Sequence, residues 1–136
     1  MPAYDSEGFS PPAPVARVTV RNPETGATLT DLPLLIDSGA DVTLLPTSAV
    51  ESLGIAVSEG TNYELLGFDG NTSISAAVRA DLIFLIKTFK GQFLLINQEI
   101  GILGRDVLNH TSFLLDGPSL NWEERRNVGS FWSIAG

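Results

Sequence analysis

The chain has no cysteine and only one histidine, His110, among its 136 residues. Without cysteine there is no thiol nucleophile, disulfide framework, iron–sulfur cluster or Cys-ligated zinc, and one histidine cannot build a two-histidine metal site within one chain. Any Ser-His-Asp hydrolase would have to use that one imidazole. Basic residues are scarce as well, with eight Lys plus Arg against sixteen Asp plus Glu and a formal charge of −8. Phosphate binding is driven by clustered cations, so this balance argues against nucleic acid as the main partner. No run reaches the roughly 18 to 20 apolar residues of a membrane span. The opening MPAYDSEGFSPPAP lacks the basic start and apolar centre of a signal peptide. A cytoplasmic location with no membrane partner is expected, and the missing cysteine fits a reducing compartment. What remains for chemistry is mainly carboxylates.

The length is that of one domain, and 43% hydrophobic content supports a core without metal or disulfide staples. Residues 1–14 hold four prolines among small polar and acidic residues. They read as a flexible leader, with a folded domain over 15–124 and a C-terminal extension over 125–136. From Val15, the β-branched runs Arg17 to Val20 and Thr28 to Thr30 flank the turn cluster Asn22 to Gly26, a hairpin pattern. Leu32 to Ile36 is almost continuously apolar, as in a strand buried on both faces. Thr47 to Leu53 suits one or two helical turns closed by Gly54. Asp69-Gly70 between strand-like flanks predicts a second hairpin, and Ser75 to Ile86 and Gln92 to Ile96 predict strands joined by a turn at Lys87 to Gly91. Arg105 to Asn109 predicts a short helix near the C-terminal part, followed by strands at Phe113 to Leu115 and Leu120 to Trp122. Many short strands with almost no helix indicate an all-β barrel or sandwich.

Two segments carry the chemistry. In Leu35-Ile36-Asp37-Ser38-Gly39-Ala40-Asp41 a carboxylate ends an apolar strand beside a hydroxyl and a glycine that permits close backbone approach. Taken alone, Asp-Ser-Gly is ordinary turn chemistry. Well downstream, Ile102-Leu103-Gly104-Arg105-Asp106 supplies a second apolar pair ending in glycine, with the Asp-Gly hairpin lying between the two. These three ordered features, over about Val15 to Trp122, resemble the retropepsin family of aspartic proteases.

The resemblance implies a retropepsin-like β-barrel with a flap hairpin, and an aspartic endopeptidase that needs no metal or organic cofactor. Such chemistry needs two carboxylates sharing a proton, one activating water while the other polarises the scissile carbonyl. This chain has a single Asp-Ser-Gly, and Asp106 is not a second copy of that loop. The pair must therefore come from Asp37 of two subunits of a homodimer. The family assigns Ser38 to a hydrogen bond across the dimer and Gly39 to backbone approach. Lacking the methyl of the threonine found in many relatives, Ser38 is expected to pack less rigidly.

Ala40 and Asp41 fall in the substrate-binding part of the motif. Ala40 cannot donate the hydrogen bond that a Ser or Thr there would offer the ionised pair, so activity is expected to extend to mildly acidic pH. By the same resemblance Arg105 pairs with Asp41 and, with Gly104, supports the loop. Gly67, Phe68, Asp69 and Gly70 form the flap over a peptide substrate held in extended form. His110 reads as a solvent-facing or capping residue, Trp122 and Trp132 as core or interface. The triplets starting at Asn71 and Asn109 fit glycosylation, but without a signal peptide they are expected to stay unused. The alternatives are a non-catalytic dimeric β-domain that binds an extended peptide in the same cleft, and a protease domain excised from a longer precursor by cleavage near residues 10 to 15.

Overall fold

The computed structural model describes residues 2–66 and 72–125. In chain order the elements are β1 (Tyr4–Asp5), β2 (Ala13–Arg21), β3 (Thr28–Ile36), β4 (Leu44–Pro46), α1 (Thr47–Ser52), β5 (Val57–Leu66), β6 (Thr72–Phe84), β7 (Lys87–Ile96), β8 (Gly101–Leu103), α2 (Arg105–Leu108), β9 (Phe113–Asp116) and β10 (Asn121–Glu124). The sheet order β1-β2-β3-β8-β4-β7-β6-β5 is closed by an added pairing of β2 with β6, so six strands form a barrel with β1 and β5 hanging from its seam. Closure removes the open edges that a twisted six-stranded sheet would otherwise expose. A two-stranded sheet of β9 and β10 packs beside it. Among the described residues, no helix is long and apolar enough to cross a membrane.

The strands alternate as half-buried strands must. In β2, Val18 and Val20 are buried while Arg17 is exposed, and in β3 Leu32 and Leu34 turn inward. These residues join Leu45, Val78, Ala80, Leu82, Phe84, Leu103, Val107 and Trp122 in the main core. Trp122 reaches that core from β10, stacking edge-on against Phe113 at 5.2 Å between ring centroids and donating Nε1–H to the Val15 carbonyl at 3.1 Å. A buried indole needs such an acceptor.

The turns owe their form to a few residues. Asn22 is buried and folds the β2–β3 turn, accepting the Glu24 N–H through its side chain, and its Nδ2 donates to the Leu53 carbonyl just after α1. Gly54 follows with φ +65, as expected of a residue closing a helix. Asp31 has φ 57 where β2 and β3 shift register between Val18 and Val20, so the two runs predicted around it form one bulged strand.

Two segments differ from the sequence expectation. Residues 2–14, expected as a leader without regular structure, include β1, which pairs Tyr4 with Pro14 and Asp5 with Ala13, and Tyr4 N–H donates to the Leu120 carbonyl. Its prolines lie outside β1, and Tyr4 packs against the main core, which compensates for ordering the chain. The turn expected at Lys87 to Gly91 lies at Leu85-Ile86 instead, because β6 and β7 pair continuously from Phe84↔Lys87 to Ala77↔Leu94. Ile86, 74% exposed, sits at the hairpin tip, so its apolar character misled the strand boundary.

An ion pair braces the barrel closure. Arg21 and Asp81 are cross-strand partners of β2 and β6, and their side chains meet at 3.0 Å with Asp81 almost fully buried. Replacing Arg21 with Met would leave that carboxylate buried and uncompensated. The expected cost is about 2 kcal/mol, reduced from a fully buried pair because Arg21 is partly solvated, and a lowered urea midpoint checks it.

Candidate active site

Asp37 stands where β3 ends. The Leu34↔Gly101, Leu35↔Ile102 and Ile36↔Leu103 pairings of parallel β3 and β8 continue one step further, as Asp37 N–H donates to the Leu103 carbonyl at 3.1 Å. The chain then turns: Ala40 N–H donates back to the Asp37 carbonyl at 3.1 Å, and Gly39 N–H donates to Asp37 Oδ1 at 2.9 Å. A Cβ on Gly39 would lie 3.1 Å from that same oxygen, so glycine gives the carboxylate its backbone donor without crowding it. Among the described residues, no donor reaches Asp37 Oδ2.

The Gly104-Arg105-Asp106 segment clasps this loop from the other side. Arg105 N–H donates to the Ala40 carbonyl at 2.8 Å and its guanidinium Nη1 donates to the Ser38 carbonyl at 2.7 Å. Thr43, fully buried, donates Oγ1–H to Asp106 Oδ1 at 2.6 Å and N–H to Oδ2 at 3.1 Å, while Gly104 N–H donates to Thr43 Oγ1 at 3.0 Å. Charge-assisted bonds of this kind are short and directional. Gly104 lies so close that a Cβ would sit 2.5 Å from the carbonyl carbon and oxygen of Val42.

Asp37, Ser38, Gly39, Ala40 and Asp41 are thus brought against Gly104 and Arg105. The ion pair between Asp41 and Arg105 that the resemblance implies is not formed: Arg105 Nη1 donates to the Ser38 carbonyl, and Asp41 is exposed with no partner among the described residues. Both charges reach solvent, so an ion pair would gain little over hydration. Gly67, Phe68, Asp69 and Gly70 lie outside the described residues, as do Asn71 and Trp132. The strands leading to them, β5 and β6, pair from Val57↔Val78 to Leu66↔Thr72. His110 is exposed, its ring tilted against Phe89 at 5.9 Å between centroids, and its carbonyl accepts from Lys87 Nζ.

Sequence reading missed two parts of the site. One is the Thr43–Asp106 clasp, whose members are 63 residues apart. The other is a second apolar cluster, Leu44, Ala77 and Leu94 with Val42, Ile96 and Ile102 packed against it. It is separate from the main core and continues through Ile102 to Leu35, the partner of Ile102 in the ladder that ends at Asp37. The signal for it was present in the continuously apolar run to Ile36, which marks a strand with apolar neighbours on both faces.

A family model described as "Aspartyl protease" matches residues 16–107, from β2 through most of α2, and so covers both the Asp37 loop and the Arg105 segment. Among solved structures, the chain is similar to EIAV protease complexed with the inhibitor HBY-793, at 23% identity and a TM-score of 0.53 over 72% of this chain and 86% of that one. No curated protein sequence matches.

Proposed function

Because the chain belongs to the aspartyl protease family and is an aspartic endopeptidase, we propose that it acts as a homodimer in which the two Asp37 carboxylates meet at a two-fold axis and activate one water. The observation that carries this reading is the half-satisfied Asp37: Oδ1 is held by Gly39 N–H and Oδ2 has no donor among the described residues. An isolated carboxylate is a poor catalyst of amide hydrolysis. Two such groups sharing a proton supply a base for water and an acid for the scissile carbonyl.

The chemistry follows from that placement. The ionised member takes a proton from water as the oxygen attacks the carbonyl carbon, while the protonated member donates to the carbonyl oxygen. The tetrahedral diol collapses as the carboxyl that took the water proton passes it to the leaving nitrogen and the other carboxylate takes a proton back from a diol hydroxyl, which breaks the C–N bond and restores the singly protonated pair. Ser38 is exposed, and its hydroxyl has no partner among the described residues, which leaves it available to the partner subunit. Gly104 and Arg105 hold the loop, with the Arg105 guanidinium on the Ser38 carbonyl. Asp41, exposed and unpaired among the described residues, is available to the backbone of a peptide next to Ala40. On this reading β5 and β6 lead to a flap over the bound peptide, with Gly67, Phe68, Asp69 and Gly70, which fall between them in sequence, as its substrate contacts. Leu114, Leu115 and Leu120, between 42% and 51% exposed on and beside β9 and β10, offer apolar surface for the subunit contact.

A diverse peptide library at pH 3 to 7, with and without pepstatin, tests the reading. Pepstatin-sensitive cleavage is expected, with specific activity falling as the protein is diluted below its dimer dissociation constant. Specific activity that stays constant down to concentrations where sedimentation finds only monomer would refute the shared site.

A further inference from the structure

Residues 6–12 join β1 to β2, and both ends of this loop are fixed. Tyr4 and Asp5 pair with Pro14 and Ala13, Tyr4 N–H donates to the Leu120 carbonyl at 2.8 Å, and Trp122 N–H donates to the Pro2 carbonyl at 3.0 Å. The apex of the loop, Gly8-Phe9, is carried elsewhere. It lies across a cavity of about 420 Å³ from Leu35, Ile100, Gly101 and Ile102. Leu34 is fully buried in the core, so Leu35 faces away from it, and Asp37, two residues on in the same ladder, falls on the side of Leu35. The apex therefore lies against the wall next to the carboxylate, where a peptide reaching Asp37 has to run as well.

Only local contacts hold the apex there. Asp5 Oδ1 accepts the N–H groups of Glu7 and Gly8 at 2.9 and 3.1 Å, a side-chain turn that curls the chain toward β8. A Cβ on Gly8 would lie 2.8 Å from Asp5 Oδ2 and 3.4 Å from Ile100 Cδ1, so glycine lets the loop approach both. Phe9 is partly buried although Gly8 and Ser10 on either side of it are exposed, which turns its ring toward the cavity it lines. Among the described residues, no hydrogen bond ties Gly8 or Phe9 to β3 or β8. The apex can thus lift as a local opening while β1 stays paired at both edges.

Resting on the protease reading above, we propose that residues 6–12 form an autoinhibitory strap, whose apex covers the wall beside Asp37 and has to lift before a peptide is held there. Strap and substrate compete for one surface, so the apparent affinity for a peptide is scaled by the fraction of chains whose strap is raised. The strap is blind to the sequence of the peptide. It changes access to the wall and leaves the contacts made there as they are.

Phe9→Ala, which removes the apolar hold, and Asp5→Ala, which removes the acceptor of the turn, test this in the full chain. For a set of unrelated peptides, KM is expected to fall by about fivefold, by the same factor for every peptide and with kcat little changed. Pepstatin is expected to bind more tightly by that factor in calorimetry. An unchanged KM, or a fall confined to one kind of peptide, would overturn the strap, and so would a raised KM, which would make Phe9 one of the substrate's own contacts. Hydrogen exchange supplies a readout on the wild type. Saturating pepstatin is expected to speed exchange of the Glu7 and Gly8 N–H groups as the Asp5 turn opens, and equal or slower exchange would overturn the proposal. Absence of cleavage and of pepstatin binding from the wild type and both variants would refute the protease reading and the strap with it. Wild-type cleavage that neither variant alters would refute the strap alone.

Discussion

Replacing Asp37 with Asn is expected to reduce peptide cleavage at least about 10³-fold while leaving the fold intact. The amide oxygen of Asn can still accept the Gly39 N–H that binds Asp37 Oδ1 at 2.9 Å, and the Asp37 N–H and carbonyl bonds to Leu103 and Ala40 are backbone bonds. A stability change within about 1 kcal/mol is therefore expected, read by thermal unfolding. What is lost is proton transfer, since an amide can neither take the proton of the attacking water nor share one with its counterpart. The variant also tests how many chains make a site. If each dimer needs two Asp37 residues, equilibrating the wild type with an equal amount of the variant should leave roughly half of the original activity, because half of the wild-type chains then sit in mixed dimers. Activity unchanged by mixing, under conditions where subunits exchange, would mean that one chain suffices.

Gly104→Ala is expected to cost about 3 kcal/mol, lowering Tm by roughly 10 °C. The added methyl would sit 2.5 Å from both the carbonyl carbon and the oxygen of Val42, and 3.1 Å from the Ala40 carbonyl oxygen. These are backbone atoms of the segment that carries Asp37, and they cannot rotate away as a side chain would. Relief requires the two motifs to separate. That breaks the Gly104 N–H bond to Thr43 Oγ1 and strains the Arg105 N–H bond to the Ala40 carbonyl. Activity at low temperature, where the variant is still folded, should fall as well, because the loop holding the carboxylate has moved. Gly91→Ala is the control: it lies within β7, nothing stands within 4 Å of its added Cβ, and its stability should match or slightly exceed the wild type. Equal effects at both positions would show that loss of glycine flexibility, and not the close approach of the two motifs, governs the result.

The two motif segments were legible because their meaning is local. An apolar strand ending in Asp-Ser-Gly, and an apolar pair ending in Gly-Arg-Asp, announce themselves in five or six consecutive residues. The helix over Thr47 to Ser52, with Gly54 after it, was legible for the same reason. The hairpin turn at Leu85-Ile86 was not, since two apolar residues occupy a place where Gly or Asn is the usual signal, and Leu85 takes φ 59 without either. The short strand at Tyr4–Asp5 was not legible because four prolines dominate residues 1–14, although they flank that strand and the Asp5 turn without occupying them.

From composition and order alone, the chain was committed to an all-β domain with mainly carboxylates left for chemistry, because short apolar runs, the lack of cysteine and the lone histidine leave little else; singling out Asp37 took the resemblance of its loop to a family motif. Tertiary structure decided what surrounds that carboxylate. It gave the Arg105 guanidinium to the Ser38 carbonyl instead of Asp41, tied Thr43 to Asp106, set an apolar floor from Val42 to Ile102 and brought Gly8 against Ile100. Each of these contacts joins positions far apart in sequence. They exist only because β3 and β8 pair in parallel at one register inside a closed barrel, and neither that register nor that closure is encoded in any short stretch of the chain.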